Sequence, residues 1–552
     1  MSKIIDHDSP AALEGEKLPL ESESAKYKPA HSRAHSEYDT LPILEAGPVI
    51  AGLTAEHGAE AVLESQAGET GFPPRMSTGR MVVLAAGMMM TYFVGTASTA
   101  SVTLLIPSMA HDLGESELQV QWVSSAYTLA FACGLLFSGR LADTAGRKKL
   151  YMIGLSMYAV FAIITGAVKN RLSMCVTRAL SGLGLSIASP AGFGIIGVNI
   201  RHEPARTIVF AAFGLGNPVG AAFGNLIGGV MASIGQGGWS YLFFLLAGLA
   251  IVLLVIAYFV VPPDLPSVAA KDRRIDWIGG VLITAAICIF TFSLTESGIA
   301  PKGWQAPHVP ALLVLSLVLV GIFSIWSLRL ERHTSYPPII KMSLFTRRHG
   351  LISYTCACCF FQSLSVYGWV YTTTIFYQNY KGLSPLQNSI HTLPTTIVGT
   401  GAATAVMFLA PRVRTPHLLG IGAGLTACCS LLYALWPEGL TFWAMEFPAQ
   451  LMIPWGIDFA FGLGNILISN LVDQDEQSVG GALFQTSGQV GAALGICLTS
   501  LIATQIGEQK GSVLAGVRAA FWFGSGAAGI VVGIAYFGFR RVGLAKDVGK
   551  IQ

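Results

Sequence analysis

The stretch GRLADTAGRKKL, residues Gly139 to Leu150, is a short basic turn with a single acid. It lies between two apolar runs that are each long enough to cross a bilayer. A turn of this kind lies at a membrane surface. Its four Lys and Arg residues, with none in the loop before it, place that surface on the cytoplasmic side by the positive-inside rule. The stretch therefore predicts a membrane protein and orients the two helices beside it.

The composition agrees with this interpretation. Hydrophobic residues make up 52% of the 552 positions and charged residues only 12%, against roughly 25% in soluble domains. The basic residues are scattered among short loops, which argues against nucleic-acid binding. All nine cysteines fall within apolar runs, so we expect neither a disulfide framework nor a metal site. No cofactor is expected.

Apolar windows of about 20 residues recur fourteen times, from 82–106 to 518–539, and predict an all-α polytopic protein. An even number of spans returns both termini to the cytoplasmic side. The loops predicted to be cytoplasmic carry sixteen Lys and Arg residues, and those predicted to be external carry six. One loop disagrees, because Asp473–Glu476 should be cytoplasmic and has no basic residue.

The chain also repeats itself. A degenerate copy of the basic turn occurs at Pro411–Thr415 between spans 10 and 11, which predicts two six-helix halves with an inserted pair, spans 7 and 8. Halves of this kind frame a binding site near the bilayer midplane. The expected parts are a disordered cytoplasmic tail at 1–78, an N-terminal half at 79–262, the inserted pair and linker at 263–346, a C-terminal half at 347–540 and a short cytoplasmic tail at 541–552.

Span 5 contains a ridge of glycines spaced by four, which stack on one helix face and allow another helix to approach closely. The ridge consists of Gly216, Gly220, Gly224 and Gly228. By symmetry between the halves we predict that its partner is the face of span 10 formed by Thr395, Gly399 and Ala403.

Span 12 carries the candidate chemistry. Its residues Trp455, Asp458, Gly462 and Asn465 share one helical face. Asp458 falls near the middle of the apolar window, where an unpaired carboxylate is costly to keep ionised, so it can load and unload a proton. The alternative is a carboxylate locked to the backbone or to Arg178. Glu446, nearer the outer edge, is the second candidate for proton coupling.

Other polar and aromatic residues within spans are candidates for contacting a substrate, although packing is the alternative interpretation of each aromatic. They are Ser98 in span 1, Gln362, Tyr367 and Trp369 in span 9, and Trp455 and Asn465 in span 12. Arg178 in span 4 is expensive inside a membrane unless it is paired or faces water, so it is the third candidate for proton coupling, with a snorkelling or backbone-bound arginine as the alternative. No phosphate-binding G-x-x-x-x-G-K-[ST] loop and no H-E-x-x-H or G-x-S-x-G motif occurs, so neither ATP-driven transport nor an enzyme is expected.

These motifs resemble the 14-span drug:proton antiporter branch of the major facilitator superfamily. The basic turn fits the family's G-x-L-A-D-x-x-G-R-K pattern, in which Gly139, Asp143, Gly146, Arg147 and Lys148 form a conformational switch. The resemblance implies that Asp143 meets the positive end of span 13. The stretches around Gly382–Pro385 and Leu483–Thr486 resemble fungal aminotriazole-resistance-type transporters.

The resemblance implies export of a small organic molecule in exchange for protons, by a monomer in the plasma membrane, with the vacuolar membrane as the alternative location. Ser98 stands where many members carry an acid in span 1, which moves proton coupling to Asp458. Two other functions remain open: a facilitator or exporter of a small polar solute such as boric acid, and a transporter-like receptor without net flux.

Overall fold

The computed structural model describes residues 76–200, 202–264, 272–299 and 303–550, and within them fourteen helices are long and apolar enough to cross a membrane. The predicted number of spans and the all-α class are confirmed. The tail predicted at 1–78 lies, up to residue 75, outside the described residues. We call the end of the helix bundle that carries Gly139–Leu150 the basic end and the other the opposite end.

The first half consists of α1 (Thr78–Leu113), α2 (Glu117–Ala145), α3 (Arg147–Ala167), α4 (Arg171–Asn199), α5 (Ala205–Ser233) and α6 (Gly238–Val260). The inserted pair is α7 (Trp277–Ile299) and α8 (His308–His333). The second half consists of α9 (Arg347–Ile375), α10 (Pro385–Leu409), α11 (Thr415–Ala434), α12 in two segments (Glu446–Met452 and Pro454–Leu471), α13 (Gln477–Lys510) and α14 (Val513–Gly538).

The second helix of each half begins with the same capping arrangement. At α2, Ser116 Oγ accepts the amide of Gln119 at 3.4 Å, and the Gln119 side chain accepts the Ser116 amide at 3.1 Å. At α10, Ser384 and Gln387 repeat both bonds, at 3.3 Å and 2.9 Å. Each pair of bonds satisfies backbone amides that the start of a helix leaves without a partner. The same arrangement at the second helix of both halves agrees with the internal repeat predicted from the sequence.

The glycine ridge of α5 packs against the backbone of α1. A Cβ on Gly216 would lie 2.3 Å from the carbonyl oxygen of Met89, and one on Gly220 would lie 2.6 Å from that of Phe93. No side chain fits at these separations, so the two helices touch through their backbones. The predicted partner ridge on α10 is therefore wrong. Symmetry misled us because the ridge joins two helices within one half instead of joining the halves.

The second half repeats this contact with different glycines. On α13, a Cβ on Gly491 would lie 2.2 Å from the carbonyl oxygen of Phe360, and one on Gly495 would lie 2.2 Å from that of Leu364. Thus α9 packs on α13 as α1 packs on α5. The pairing of first and fifth helices is common to both halves, and the two contact glycines of α13 have the same spacing of four residues as those of α5.

The inserted pair lies beside the junction of the two halves. Near the basic end, Trp277 of α7 packs against Phe137 of α2, with ring centroids 5.4 Å apart. Near the opposite end, Ser297 Oγ of α7 lies 3.7 Å from Cys497 Sγ of α13. The pair therefore contacts one helix from each half.

The chain end folds back onto the second half. The amide of Thr415 at the start of α11 donates to the carbonyl oxygen of Gly543 at 2.9 Å. The side-chain amide of Asn470 at the end of α12 donates to the carbonyl oxygen of Ala545 at 3.1 Å. The segment predicted as a short tail at 541–552 is thus docked on the basic end as far as the structure describes it, to residue 550.

Candidate functional site

The predicted switch turn meets α13 across the junction of the halves. Asp143, which is only 2% exposed, accepts the amides of Ser478 and Val479 at 3.1 Å and 2.9 Å. These amides belong to the first turn of α13, where a helix has no internal partner for them and where its dipole favours an anion. A carboxylate from the first half thus caps a helix of the second half.

Arg147 completes this contact. It binds Asp143 through Nε at 2.9 Å and through Nη2 at 2.7 Å, and Nη2 also donates to the carbonyl oxygen of Gln474 at 2.7 Å. Its own helix start is capped by Asp264, whose carboxylate accepts the amides of Arg147 and Lys148. The guanidinium therefore neutralises Asp143 and reaches the second half directly. We call Asp143, Arg147 and the segment Gln474–Val479 the gate.

The two glycines of the turn are needed for steric reasons. A Cβ on Gly139 would lie 2.7 Å from the Cβ of Ala482, so only glycine allows α2 to approach α13 this closely. Gly146 has φ +113°, which a residue with a side chain rarely adopts. Lys148 points away from the gate and donates to the carbonyl oxygen of Tyr258 at 2.9 Å. Lys148 thus serves the first half alone.

Further hydrogen bonds join the halves at the basic end. Arg206 at the start of α5 donates to the hydroxyl and carbonyl oxygens of Ser469 on α12, at 2.6 Å and 2.8 Å. Ser189 of α4 donates to the side chain of Gln485 on α13 at 2.7 Å. With the gate, these contacts close the junction between the halves at the basic end.

Asp458 lies halfway along α12, at the junction of the halves. It is 7% exposed. A Cβ on Gly399 of α10 would lie 3.4 Å from Asp458 Oδ2 and 3.6 Å from the Cβ of Pro218 on α5, so α10, α12 and α5 meet here. Among the residues that the structure describes, none forms a hydrogen bond or an ion pair with this carboxylate. Asp458 is thus buried and lacks a counter-charge.

Aromatic and amide side chains from three helices surround this point, which we call the cleft. Tyr367 of α9 is 36% exposed although it lies deep between the halves, near Asp458 and within hydrogen-bonding range of Asn217 on α5. Thr96 of α1 donates to Asn217 Oδ1 at 3.0 Å, and Tyr92 lies close to Tyr367. Polar and aromatic side chains of α1, α5 and α9 thus meet beside Asp458, and that of Tyr367 is partly accessible.

The face of α12 that was predicted to carry the candidate chemistry continues from Asp458 toward the basic end, where it lies near α10 and α5. A Cβ on Gly462 would lie 2.8 Å from the side chain of Val406 on α10. Asn465 lies near Gly214 of α5, 3.6 Å from the position of a Cβ on that glycine, and its Oδ1 is buried without a hydrogen-bond partner among the described residues. Trp455 is partly exposed and packs edge-on against Phe459 at 5.5 Å.

Other predicted substrate contacts lie inside the second half. Gln362 is fully buried and donates to Thr426 Oγ1 at 2.8 Å. Trp369 is 3% exposed and packs edge-on against Tyr433 at 5.7 Å. Neither side chain reaches the cleft in this conformation, and the packing interpretation fits both. Asn217 and Thr96 were missed, although an Asn-Pro pair in the apolar run of α5 was a usable signal.

Arg178 is buried within the first half. Its Nη1 donates to Ser98 Oγ at 2.7 Å and its Nε to the carbonyl oxygen of Val123 at 3.2 Å, with the guanidinium 4.3 Å above the ring of Tyr127. A backbone carbonyl, a hydroxyl and an aromatic face replace the missing acid. The alternative in which Asp458 is locked to Arg178 does not occur, and Ser98 is occupied by Arg178.

Glu446 lies at the opposite end, where it forms an ion pair with Lys381 at 2.5 Å. Its carboxylate is 1% exposed. Three aromatic rings surround the ammonium group, with centroids 4.8 Å away for Trp436, 5.0 Å for Phe376 and 5.6 Å for Tyr377. The three residues predicted for proton coupling thus occupy three separate places, and Asp458 is the member that lies between the halves.

Among the described residues, no group of three His, Cys, Asp or Glu side chains could hold a metal ion. The cysteines at 356, 358 and 359 are free and buried in α9.

Comparisons with known proteins agree with this geometry. The family model described as Major Facilitator Superfamily matches residues 88–496. Efflux pump terJ of Aspergillus terreus is 28% identical over 455 residues, covering 80% of this chain and 85% of that protein. The aminotriazole resistance protein of Saccharomyces cerevisiae is 23% identical over 441 residues, covering 79% of each.

Among solved structures, the crystal structure of the human organic anion transporter MFSD10 (TETRAN) superposes with a TM-score of 0.59 at 13% identity. The match covers 82% of this chain and 98% of that one. At this identity the likeness concerns the fold alone.

Fourteen apolar helices and the family match together identify this chain as a multi-pass membrane transporter. The chain belongs to the major facilitator superfamily, and its resemblance to fungal drug-efflux-type members is confirmed by the relatives found.

Proposed function

We propose that this chain exports small organic molecules and that Asp458 exchanges protons during the transport cycle. The observation that carries the proposal is the isolation of Asp458, a carboxylate buried at the junction of the halves without a hydrogen bond or counter-ion among the described residues. An ionised acid without a partner is costly within a membrane. Proton binding removes that cost, so the protonation state of Asp458 biases which conformation is favoured.

The proposed orientation places the basic end and both termini in the cytoplasm, following the distribution of Lys and Arg. With the basic end closed, Asp458 and the cleft are then reached from outside, where protons are taken up. Opening of the gate exposes the cleft to the cytoplasm, where the proton leaves and a substrate binds. We propose the plasma membrane as the location and the monomer as the working unit.

The cleft suggests the class of substrate. Tyr367 and Tyr92 supply flat apolar faces, and Asn217 supplies an amide that can donate and accept hydrogen bonds. A small planar molecule with a few polar groups fits these side chains. Two relatives are named for efflux and for aminotriazole resistance, which makes aminotriazole a reasonable first probe.

The test uses the full-length chain in proteoliposomes and radiolabelled aminotriazole. We expect uptake driven by an acidic lumen, and we expect Asp458→Asn to reduce that uptake on the order of 10- to 100-fold, as for a lost coupling between two sites. Exchange of labelled for unlabelled probe without a pH gradient should persist, because it requires no net proton movement. In the variant, the remaining flux should not change with pH.

Glu438→Gln is the matched control, since Glu438 is an exposed carboxylate in the loop between α11 and α12. It should keep both activities. Unchanged gradient-driven uptake in Asp458→Asn would refute the role of this carboxylate. Wild-type flux that does not depend on the pH gradient would indicate a facilitator instead. Binding of aminotriazole without any flux would indicate a receptor.

A further inference from the structure

Glu476 precedes the first turn of α13 and is held by two cations from outside that helix. Its Oε1 lies 2.5 Å from Lys341 Nζ, and its Oε2 lies 3.0 Å from Arg347 Nη1. Arg347 Nη1 also lies 3.1 Å from Asp473 Oδ2. The side chain of Glu476 is 5% exposed. The acidic loop Asp473–Glu476, which is the exception to the positive-inside pattern, thus pairs with basic residues that lie far away in the sequence.

The gate uses the same turn of backbone. Asp143 binds the amides of Ser478 and Val479, two and three residues after Glu476, and Arg147 binds the carbonyl oxygen of Gln474. Any tilt or shift of this turn changes the geometry that Asp143 meets. Among the described residues, the Glu476 carboxylate pairs with Lys341 and Arg347 and not with a residue of the cleft, so it can affect the contact with Asp143 only by positioning the turn.

Lys341 belongs to the linker strap, residues 334–346, which joins α8 to α9. Tyr336 in this strap donates to the carbonyl oxygen of Ile275, and Arg274 donates to that of Ser335 at 2.8 Å. Glu331 at the end of α8 accepts the amide of Met342 at 2.7 Å. These bonds attach the strap to α8 and to the segment that leads into α7.

The inserted pair is in turn attached to the first half. Arg140 of α2 donates to the carbonyl oxygen of Asp272 at 3.2 Å, just before α7. The Asp272 side chain is held by Arg274, which lowers the pKa of that carboxyl to about 2 through hydrogen bonds and charge. A continuous set of contacts therefore runs from α2 through the inserted pair and the strap to the first turn of α13.

We propose that the linker strap is part of the gate: Lys341 of the strap, together with Arg347 at the start of α9, holds Glu476 and thereby positions the first turn of α13 to receive Asp143. The inserted pair then stabilises the state in which the basic end is closed. Opening of the gate requires the Lys341–Glu476 contact to break or the strap to move with α13. This role is independent of the substrate and of proton coupling at Asp458.

Amide hydrogen exchange of the full-length chain in nanodiscs tests the proposal. The amides of Ser478 and Val479 lie in the first turn of a helix, so their protection depends on Asp143 and not on bonds within α13. We expect Lys341→Met to accelerate exchange of the peptide containing them on the order of tenfold, the effect of losing one charged hydrogen bond. Lys341→Arg should restore the slow rate.

Four further variants separate positioning from general loosening. Glu476→Gln should give the same acceleration as Lys341→Met. The double variant Lys341→Met/Glu476→Gln should exchange little faster than either single variant, because the two residues act through each other. Arg347→Gln should also accelerate exchange, which keeps the test available if Lys341→Met does not fold. Lys381→Met is the matched control, since it removes a Lys–Glu pair of equal length at the opposite end and should leave this peptide unchanged.

Two outcomes would overturn the proposal. The first is a folded Lys341→Met protein whose Ser478 and Val479 amides exchange at the wild-type rate. The second is an acceleration spread equally over peptides from α9 to α12, which would mean that Lys341 supports the fold in general. Neither result depends on aminotriazole flux. A failure of this proposal can therefore be told apart from a failure of the proposed transport function, which the flux assay tests.

Discussion

The two ends of the molecule each contain a Lys–Glu pair with the same separation of 2.5 Å, and the pairs do different things. At the opposite end, Lys381 and Glu446 both belong to the second half, and aromatic rings of that half surround the ammonium group. At the basic end, Lys341 comes from the linker strap and Glu476 from the start of α13. The first pair lies within one rigid part, whereas the second joins two parts.

The comparison teaches that the distance between two charges does not determine what their contact contributes. In the transport cycle proposed above, a pair inside one half moves unchanged with that half, so it stabilises folding and favours neither state of the transporter. An ion pair that joins two parts of the molecule which move relative to each other is formed in one conformation and broken in the other. Such a contact shifts the balance between conformations by its free energy in the closed state.

The largest effect that sharpens this contrast is expected for Glu446→Gln. The substitution leaves Lys381 enclosed by Trp436, Phe376 and Tyr377 without its carboxylate, and an unpaired charge in such a site costs about 3 kcal/mol. We expect the melting temperature of the purified protein to fall by several degrees, while exchange of the Ser478 and Val479 amides stays at the wild-type rate. Faster exchange there would mean that the two ends are coupled.

A smaller effect is expected for Asp143→Asn at the basic end. Asparagine keeps one acceptor oxygen but loses the charge that matches Arg147 and the start of α13. We expect a loss of about 2 kcal/mol from the closed gate. Exchange of the Ser478 and Val479 amides should therefore accelerate roughly 30-fold, whereas the melting temperature should change less than in Glu446→Gln. A large fall in melting temperature, with the Ser478 and Val479 amides still exchanging slowly, would mean that Asp143 stabilises the fold and not the closed gate.

The basic turn and Asp458 could be read from sequence for a simple physical reason. Four basic residues in one short loop have a single stable place at a membrane surface, and a carboxylate in the middle of an apolar run stands out against its neighbours. Both features depend on residues that are adjacent in the chain. Local signals of this kind predicted the number of spans, which the structure confirms, and they are also the basis of the predictions for the repeat of the halves and for Asp458.

Contacts between distant segments could not be read in this way. Lys341 and Glu476 are 135 positions apart and Lys381 and Glu446 are 65 apart, so no spacing rule connects them. The acidic loop at Asp473–Glu476 was recognised as an exception to the charge rule, but its basic partners were not found. For the same reason the partner of the α5 glycines was misassigned, since helical spacing defines a face and not the helix that meets it.

The smallest effect, and the most discriminating, is expected from salt. Lys341 is 35% exposed, whereas Lys381 is 21% exposed and lies against three rings. Mobile ions reach the first pair more readily, and screening becomes strong as the Debye length falls to about 3 Å near 1 M salt. Raising the salt should therefore accelerate exchange of the Ser478 and Val479 amides about twofold, in line with the small free energy of a partly exposed pair. Lys341→Met should lose this dependence, because it removes the pair that salt screens. An equal salt response in wild type and variant would place the screened charges elsewhere in the gate, and Asp143 with Arg147 would then be the pair that holds the basic end closed by itself.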